Sequence, residues 1–238
     1  GLTHSSIWCI VKDNQGTLWL GTYFGGVNYF NPEYETYSRY MYSPIEKKGL
    51  SNPVVGRTIE DKDGNLWIGT EGGGLNYYNR RTREFKWFRP EIGPNSISHN
   101  NIKALYYDAS KDIIWIGTHL GGLNRLDIRS GQFTHYRMEA GNPETLPSDI
   151  IRDIAPYQDH LVIATQNGIC LFDPANGKCQ QLFQDSKEGK KIKMVADVTF
   201  DSNGTLWIAA TGEGVFSYRF DTGKLTNYRH DTADPHSI

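Results

Sequence analysis

The chain has 238 residues, 13% of them aromatic, with 25 glycines and a formal net charge of −2. This charge balance argues against nucleic acid or an anionic membrane surface as a partner of this segment. No apolar run is long enough for a transmembrane helix, and the composition suits many short strands joined by turns.

One short sequence recurs five times along the chain. Trp19 precedes Leu-Gly-Thr, Trp67 and Trp115 precede Ile-Gly-Thr, Val162 precedes Ile-Ala-Thr and Trp207 precedes Ile-Ala-Ala. The steps between copies are 48, 48, 47 and 45 residues. Each unit also contains an Asp/Asn/Gly turn, a glycine-containing turn and an aromatic strand, which gives four strands per unit. The repeat therefore predicts an all-β fold, a β-propeller of five four-stranded antiparallel blades.

We expect residues 1–238 to form a single propeller segment, with approximate blades at residues 2–41, 50–90, 97–138, 146–184 and 192–230. In the second unit, the predicted strands are residues 54–60, 66–70, 74–78 and 84–89. Stacking of sheets around an axis buries both faces of each sheet. We expect four recurring side chains to fill the space between neighbouring blades: Trp19, Trp67, Trp115 and Trp207.

Both ends of the chain fall at unit boundaries. The phrase Leu50-Ser51-Asn52 before the second unit has counterparts at residues 2–4 and 235–238. We therefore expect an open arc, part of a larger propeller, instead of a closed ring. The exposed faces of its end blades make a homodimer plausible.

The ligand-binding face follows from the strand directions. With the strands of a blade named a to d, the b–c and d–a connections share one end of the blade, and the d–a connections are long and dissimilar. Aromatic, amide, carboxylate and guanidinium groups suit an oligosaccharide ligand. The predicted binding residues are Tyr23, Phe24, Arg57, Glu71, Lys103, His119, Arg152, Asp153, Gln166, Asn167, Asp197 and Glu213.

Catalytic chemistry is poorly supported. His4, His99 and His119 could lie near the same face, as in a propeller lyase, but no partner spacing supports them. The turns at Asp61 and Asp201 resemble the start of a calcium loop but lack its bidentate Glu, so hairpin turns explain them better. No catalytic residue, metal or cofactor is predicted.

The three cysteines, Cys9, Cys170 and Cys179, have no metal-ligand spacing. Cys170 and Cys179 fall on neighbouring strands of one hairpin, but we do not expect a direct pair. Their redox state is left open.

The segment from Asp61 to Asn76 resembles the two-component regulator propeller repeat. Residues 13–28 and 112–124 match it closely, residues 201–216 carry Ala209-Ala210 in place of Gly-Thr, and the fourth unit lacks the Trp. The resemblance implies the periplasmic sensor region of a hybrid two-component histidine kinase, where such repeats form paired seven-bladed propellers. It also implies further blades and downstream receptor domains outside this chain, and a ligand derived from polysaccharide.

The predicted function is therefore a ligand-sensing propeller module that recognises an oligosaccharide and passes the signal to a kinase outside this chain. A protein–protein interaction scaffold is the main alternative. A propeller lyase is the third interpretation.

Overall fold

The computed structural model describes residues 1–31, 33, 36–45, 48–234 and 237–238, with the backbone alone at 36 and 37. Pro235 and His236, part of the predicted closing phrase, lie outside the described residues. The described residues form twenty strands in five four-stranded antiparallel sheets. The predicted all-β fold of five four-stranded blades is thus confirmed. The helical content of the described residues is one 3₁₀ turn, Gly189–Lys191. The described residues contain no helix with both the length and the apolar character needed to cross a bilayer.

In each sheet the strands follow one another in chain order. Blade 1 contains β1 (Ile7–Lys12), β2 (Leu18–Thr22), β3 (Val27–Asn31) and β4 (Thr36–Tyr40). Blade 2 contains β5 (Val55–Glu60), β6 (Leu66–Thr70), β7 (Leu75–Asn79) and β8 (Glu84–Phe88). Blade 3 contains β9 (Ile102–Asp108), β10 (Ile113–Thr118), β11 (Leu123–Asp127) and β12 (Gln132–Tyr136). Blade 4 contains β13 (Ile151–Tyr157), β14 (His160–Thr165), β15 (Gly168–Phe172) and β16 (Cys179–Gln181). Blade 5 contains β17 (Val195–Phe200), β18 (Leu206–Ala210), β19 (Gly214–Arg219) and β20 (Lys224–Tyr228).

An aspartate organises the a–b turn of blades 1, 2 and 5. In blade 1, Asp13 Oδ1 accepts the N–H groups of Gln15 at 2.9 Å and Thr17 at 2.8 Å. Its Oδ2 accepts the indole N–H of Trp19 at 2.7 Å. Asp61 and Asp201 make the same bonds to their own turns and tryptophans, so these carboxylates serve the hairpins. No three His, Cys, Asp or Glu side chains of the described residues are grouped to hold a metal ion.

The described chain forms two compact units, residues 1–135 and 136–238. In the first unit, Trp19 shares a buried apolar cluster with Val55 and Leu66 of blade 2, and Trp67 shares one with Ile97 and Ile102 of blade 3. These tryptophans therefore lie between successive blades.

Blades 4 and 5 share the core of the second unit. It contains Val162 and Ala164 of blade 4 with Val198, Leu206 and Phe216 of blade 5. As to the other two recurrent indoles, Trp115 is buried, whereas Trp207 is half-buried.

A buried asparagine on strand c holds the segment that leads into strand a. In blade 2, Asn76 Oδ1 accepts the Ser51 N–H and Asn76 Nδ2 donates to Ser51 Oγ, both at 2.8 Å. Asn28 with Thr3, and Asn124 with Ser98, repeat this pair of bonds in blades 1 and 3. We call this arrangement the asparagine clamp.

The clamp does not occur in blades 4 and 5. Cys170 pairs with Ile163 across the sheet as Asn76 pairs with Ile68, and Phe216 takes this position in blade 5. The residue opposite the missing amide in blade 4 is Pro147, which has neither an N–H nor a hydroxyl to offer. Both partners of the clamp have therefore changed together.

Candidate functional site

In every blade, one backbone hydrogen bond positions the b–c loop. The first loop residue donates its N–H to a carbonyl group just before strand a of the same blade, at 2.8 to 3.1 Å. Five side chains consequently project from equivalent positions, and four of them belong to the predicted set: Tyr23, Glu71, His119, Gln166 and Thr211.

Strand a supplies a second set of equivalent positions. In all five blades the pairing of strand a with strand b shifts after its first residue. Such an irregularity re-aims the side chains beside it. The second residue of strand a, which lies at this shift, is Trp8 in blade 1, Gly56 in blade 2, Lys103 in blade 3, Arg152 in blade 4 and Ala196 in blade 5.

Three exposed rings gather at this end of blade 1. Trp8 stacks on Tyr23, with ring centroids 5.3 Å apart and planes 10° from parallel, and Phe24 lies 4.4 Å from Tyr23. Trp8 is 52% exposed, Tyr23 36% and Phe24 56%. The His4 ring lies 6.4 Å from Tyr23 and 6.2 Å from Phe24. We call Trp8, Tyr23 and Phe24 the aromatic group.

An ion pair borders the aromatic group. Lys103 of blade 3 forms a salt bridge with Glu71 of blade 2, and its Nζ lies 6.0 Å from the centroid of the Trp8 ring. Blade 2 has Gly56 at the position of Trp8 and Lys103, so blade 2 contributes no side chain from this position. Arg57, the next residue, is half-buried on β5. Burial raises the pKa of the Cys9 thiol, and the positive charge of Arg57 opposes this rise.

Two of the three candidate catalytic histidines accept a backbone hydrogen bond within their own turn. Nδ1 of His4 accepts the Ser6 N–H, and Nδ1 of His99 accepts the Asn101 N–H, each at 3.0 Å. Asn52 and Ser148 make the same turn bond in blades 2 and 4. His4 and His99 are thus turn residues at a repeated position. His119 lies on its b–c loop, with its ring 6.4 Å from that of His99.

Leu120 follows His119 and is exposed, with φ at 90°. Its counterparts in blades 2 and 5 are Gly72 and Gly212, which suit a positive φ. Blade 3 therefore carries an exposed apolar side chain where these two blades use glycine.

In the second unit the predicted residues separate into different roles. The Arg152 guanidinium donates to Gln166 Oε1, at 3.2 Å from Nε. Asp153 Oδ2 accepts the Val198 N–H at 3.2 Å and so ties β13 to β17. Glu213 lies 3.2 Å from Arg229 Nη1, and Asp197 is exposed on β17.

Asn167 lines a pocket of about 470 Å³ in the second unit. The d–a loop at 138–149 supplies most of its wall, and β16 contributes Gln181. The volume lies within the usual range for small-molecule sites. The lining residues are Met138, Glu139, Ala140, Gly141, Asn142, Pro143, Leu146, Pro147, Asn167 and Gln181.

The structure thus brings Tyr23, Phe24, Glu71 and Lys103 together, and it adds Trp8, which the sequence analysis missed. The available signal was alignment of Trp8 with Lys103 and Arg152, both of which were selected. The pocket beside Asn167 was not predicted either.

Two family profiles match the chain. Residues 1–24 and 49–72 match the two component regulator propeller, and residues 104–236 match the SMP-30/gluconolactonase/LRE-like region. A comparison with curated proteins gave no match.

Solved structures share the fold. One is described as the extracellular domain of the hybrid two component system BT3049 from B. thetaiotaomicron, with a TM-score of 0.80, 24% identity and coverage of 95% of this chain and 30% of that chain. Another is described as the extracellular domain of the one component system BT4673 from the same organism, with a TM-score of 0.77, 23% identity and coverage of 95% and 31%. A virginiamycin B lyase from Staphylococcus aureus gives a TM-score of 0.69, 13% identity and coverage of 95% and 71%.

The chain spans less than a third of the length of the two B. thetaiotaomicron domains. At these identities the likeness concerns the β-propeller fold. The resemblance found in the sequence is confirmed by the first profile. The chain therefore carries two-component regulator propeller repeats in its first two blades and belongs, through residues 104–236, to the SMP-30/gluconolactonase/LRE-like family.

Proposed function

We propose that this chain is a ligand-sensing module of an extracytoplasmic two-component receptor, and that it binds an oligosaccharide through its b–c and d–a loops. The aromatic group carries the proposal. Three exposed rings in contact on a rigid sheet are costly to leave in water and are suited to cover an apolar ligand face.

A sugar ring fits this surface for a physical reason. Its C–H face is apolar and stacks on Trp8 or Tyr23, while its hydroxyls require donors and acceptors at the rim. Lys103 and Glu71 supply both kinds of group beside the indole. Bonds to charged groups are stronger than neutral ones and fix the orientation of the ligand.

Binding without turnover is part of the proposal. His4 and His99 already use Nδ1 for backbone bonds, and the carboxylates of Asp61 and Asp201 are occupied in their turns. A propeller lyase is the competing function, since a lyase shares the fold.

We place this chain in a periplasmic sensor region, with the remaining blades and the kinase of the receptor outside it. Two observations support this: the regulator repeats in blades 1 and 2, and the extracellular domains that share the fold and are about three times as long.

Calorimetric titration of the purified chain with a panel of oligosaccharides tests the proposal. For a glycan that binds, we expect Trp8→Ala to weaken the affinity about tenfold or more, as loss of a central aromatic contact does. Ile10→Ala is the matched control, because Ile10 is similarly exposed two residues further along β1.

Equal affinities of Trp8→Ala and the unchanged protein would remove the aromatic group as the site. Release of new reducing ends or unsaturated products during the titration would instead establish the lyase.

A further inference from the structure

We propose that Cys170 and Cys179 form a disulfide bond that fastens β16 to β15 in blade 4. A direct pair was not expected from the sequence, and both cysteines are free thiols in this structure, but their sulfur atoms lie 3.0 Å apart. Cys170 pairs with Gln181 and Phe172 pairs with Cys179, which makes the two cysteines diagonal neighbours on one face of the sheet. A shift of about 1 Å brings the sulfurs to bonding distance.

The other blades show that these positions ordinarily have different tasks. Cys170 replaces the clamp asparagine. Cys179 faces Phe172 across the sheet as Phe85 faces Tyr78 in blade 2. One blade has therefore lost a hydrogen-bonding residue and an aromatic residue and has gained two sulfurs in contact.

The short outer strand of blade 4 gives a structural reason for such a bond. β16 has three residues and is the shortest described strand, while the described strands of the other blades have at least five. The bond would close the hairpin around the turn at residues 173–178. A covalent link of this kind mainly restricts the unfolded chain.

The surroundings indicate when the bond forms. Both cysteines are buried, and burial, followed by the neighbouring Cys179, raises the pKa of the Cys170 thiol well above its usual value. The thiolate is the reactive species, so the docked pair resists oxidation. We therefore place the reaction during folding, before β16 has docked.

The chemistry is thiol–disulfide exchange with a small disulfide such as glutathione disulfide. One cysteine thiolate attacks the glutathione disulfide and releases a glutathione thiolate, which takes up the proton that the cysteine lost. The second cysteine then attacks the mixed disulfide and releases the second glutathione. The two cysteines are oxidised, and one glutathione disulfide is reduced to two thiols.

The bond also bears on the pocket of the second unit. The Cys179 N–H donates to Glu144 O at 2.7 Å, and Lys178 Nζ lies 2.7 Å from a Glu144 carboxylate oxygen. Gln181 lines the pocket and donates to Pro143 O at 3.4 Å. Fixing β16 therefore fixes one wall of the pocket.

The test uses the purified chain, refolded with glutathione disulfide and separately with reduced glutathione. After unfolding without reductant, we expect one free thiol in the oxidised sample and three in the reduced one, with peptide mapping that joins Cys170 to Cys179. The oxidised sample should melt about 5 °C higher.

Cys179→Ala should remove the difference in melting temperature between the two samples. Cys9→Ala should keep it, since Cys9 lies in blade 1 with its Sγ 3.6 Å from Thr58 Oγ1. Three free thiols in the oxidised sample, or a bond that includes Cys9, would overturn the proposal. Neither result depends on sugar binding.

Discussion

Blades 1 to 3 and blades 4 and 5 share one strand plan but fill their interiors differently. The first three use the asparagine clamp and a buried indole. Blade 4 has Val162 in place of the Trp and Cys170 in place of the asparagine, and blade 5 has a half-buried Trp207 and Phe216. Replacing both partners of a buried polar pair costs far less than removing one. The comparison therefore indicates that every blade keeps the strand register, whereas the clamp residues and the tryptophan can be replaced.

The largest expected effect concerns the tryptophans. Trp67→Ala removes a buried ring whose centroid lies 4.7 Å from that of Tyr77 and 5.6 Å from that of Phe88. We expect this substitution to lower the free energy of unfolding by about 3 to 5 kcal/mol. Trp207→Ala should cost about half as much, because its ring is already partly in water. Urea denaturation followed by circular dichroism measures both. Equal losses would show that the difference in burial between the two tryptophans has no effect on stability.

The sequence repeat was sufficient for the fold because each signal is local. The Trp spacing and the turn residues place the strands of blade 2 within one residue of their observed bounds. Trp8 was missed because the shift in pairing after Ile7 re-aims its side chain, and alternation along a strand does not reveal such a shift.

The cysteine contact was missed for a related reason. Diagonal neighbours depend on the register of β16, and three residues carry too little pattern to fix it. The His4 and His99 roles were hidden because a ring nitrogen that bonds the backbone two residues on has no sequence signature beyond the turn itself.

The second prediction breaks the clamp. Asn76→Cys leaves the Ser51 N–H and hydroxyl without their buried partner, and we expect a loss of about 2 to 4 kcal/mol in the free energy of unfolding. The double variant with Ser51→Pro reproduces the Cys170 and Pro147 pair of blade 4. Its cost should fall short of the sum of the single costs by at least about 1 kcal/mol in a double-mutant cycle. Strict additivity would mean that the two substitutions in blade 4 are unrelated.

The smallest effect is a dependence on pH that blade 1 has through its turn aspartate. Burial raises the pKa of Asp13, but the bonds from Trp19 and from the backbone, with the Arg80 charge, outweigh it, so the pKa lies below its usual 3.8. A carboxyl with a depressed pKa stabilises the fold above pH 3.8, and this contribution is lost as the pH falls through the folded value. Asp13→Asn should therefore cost more at pH 7 than at pH 3, by about 1 kcal/mol.

Urea unfolding of Asp13→Asn and the unchanged chain at the two pH values measures this difference. Asn14→Ala is the control, because Asn14 is neutral and exposed in the same turn and uses only its backbone N–H, which bonds Glu60. Its cost should be equal at pH 7 and pH 3. If Asp13→Asn behaves like this control, the charge of Asp13 contributes nothing to the stability of the blade 1 turn.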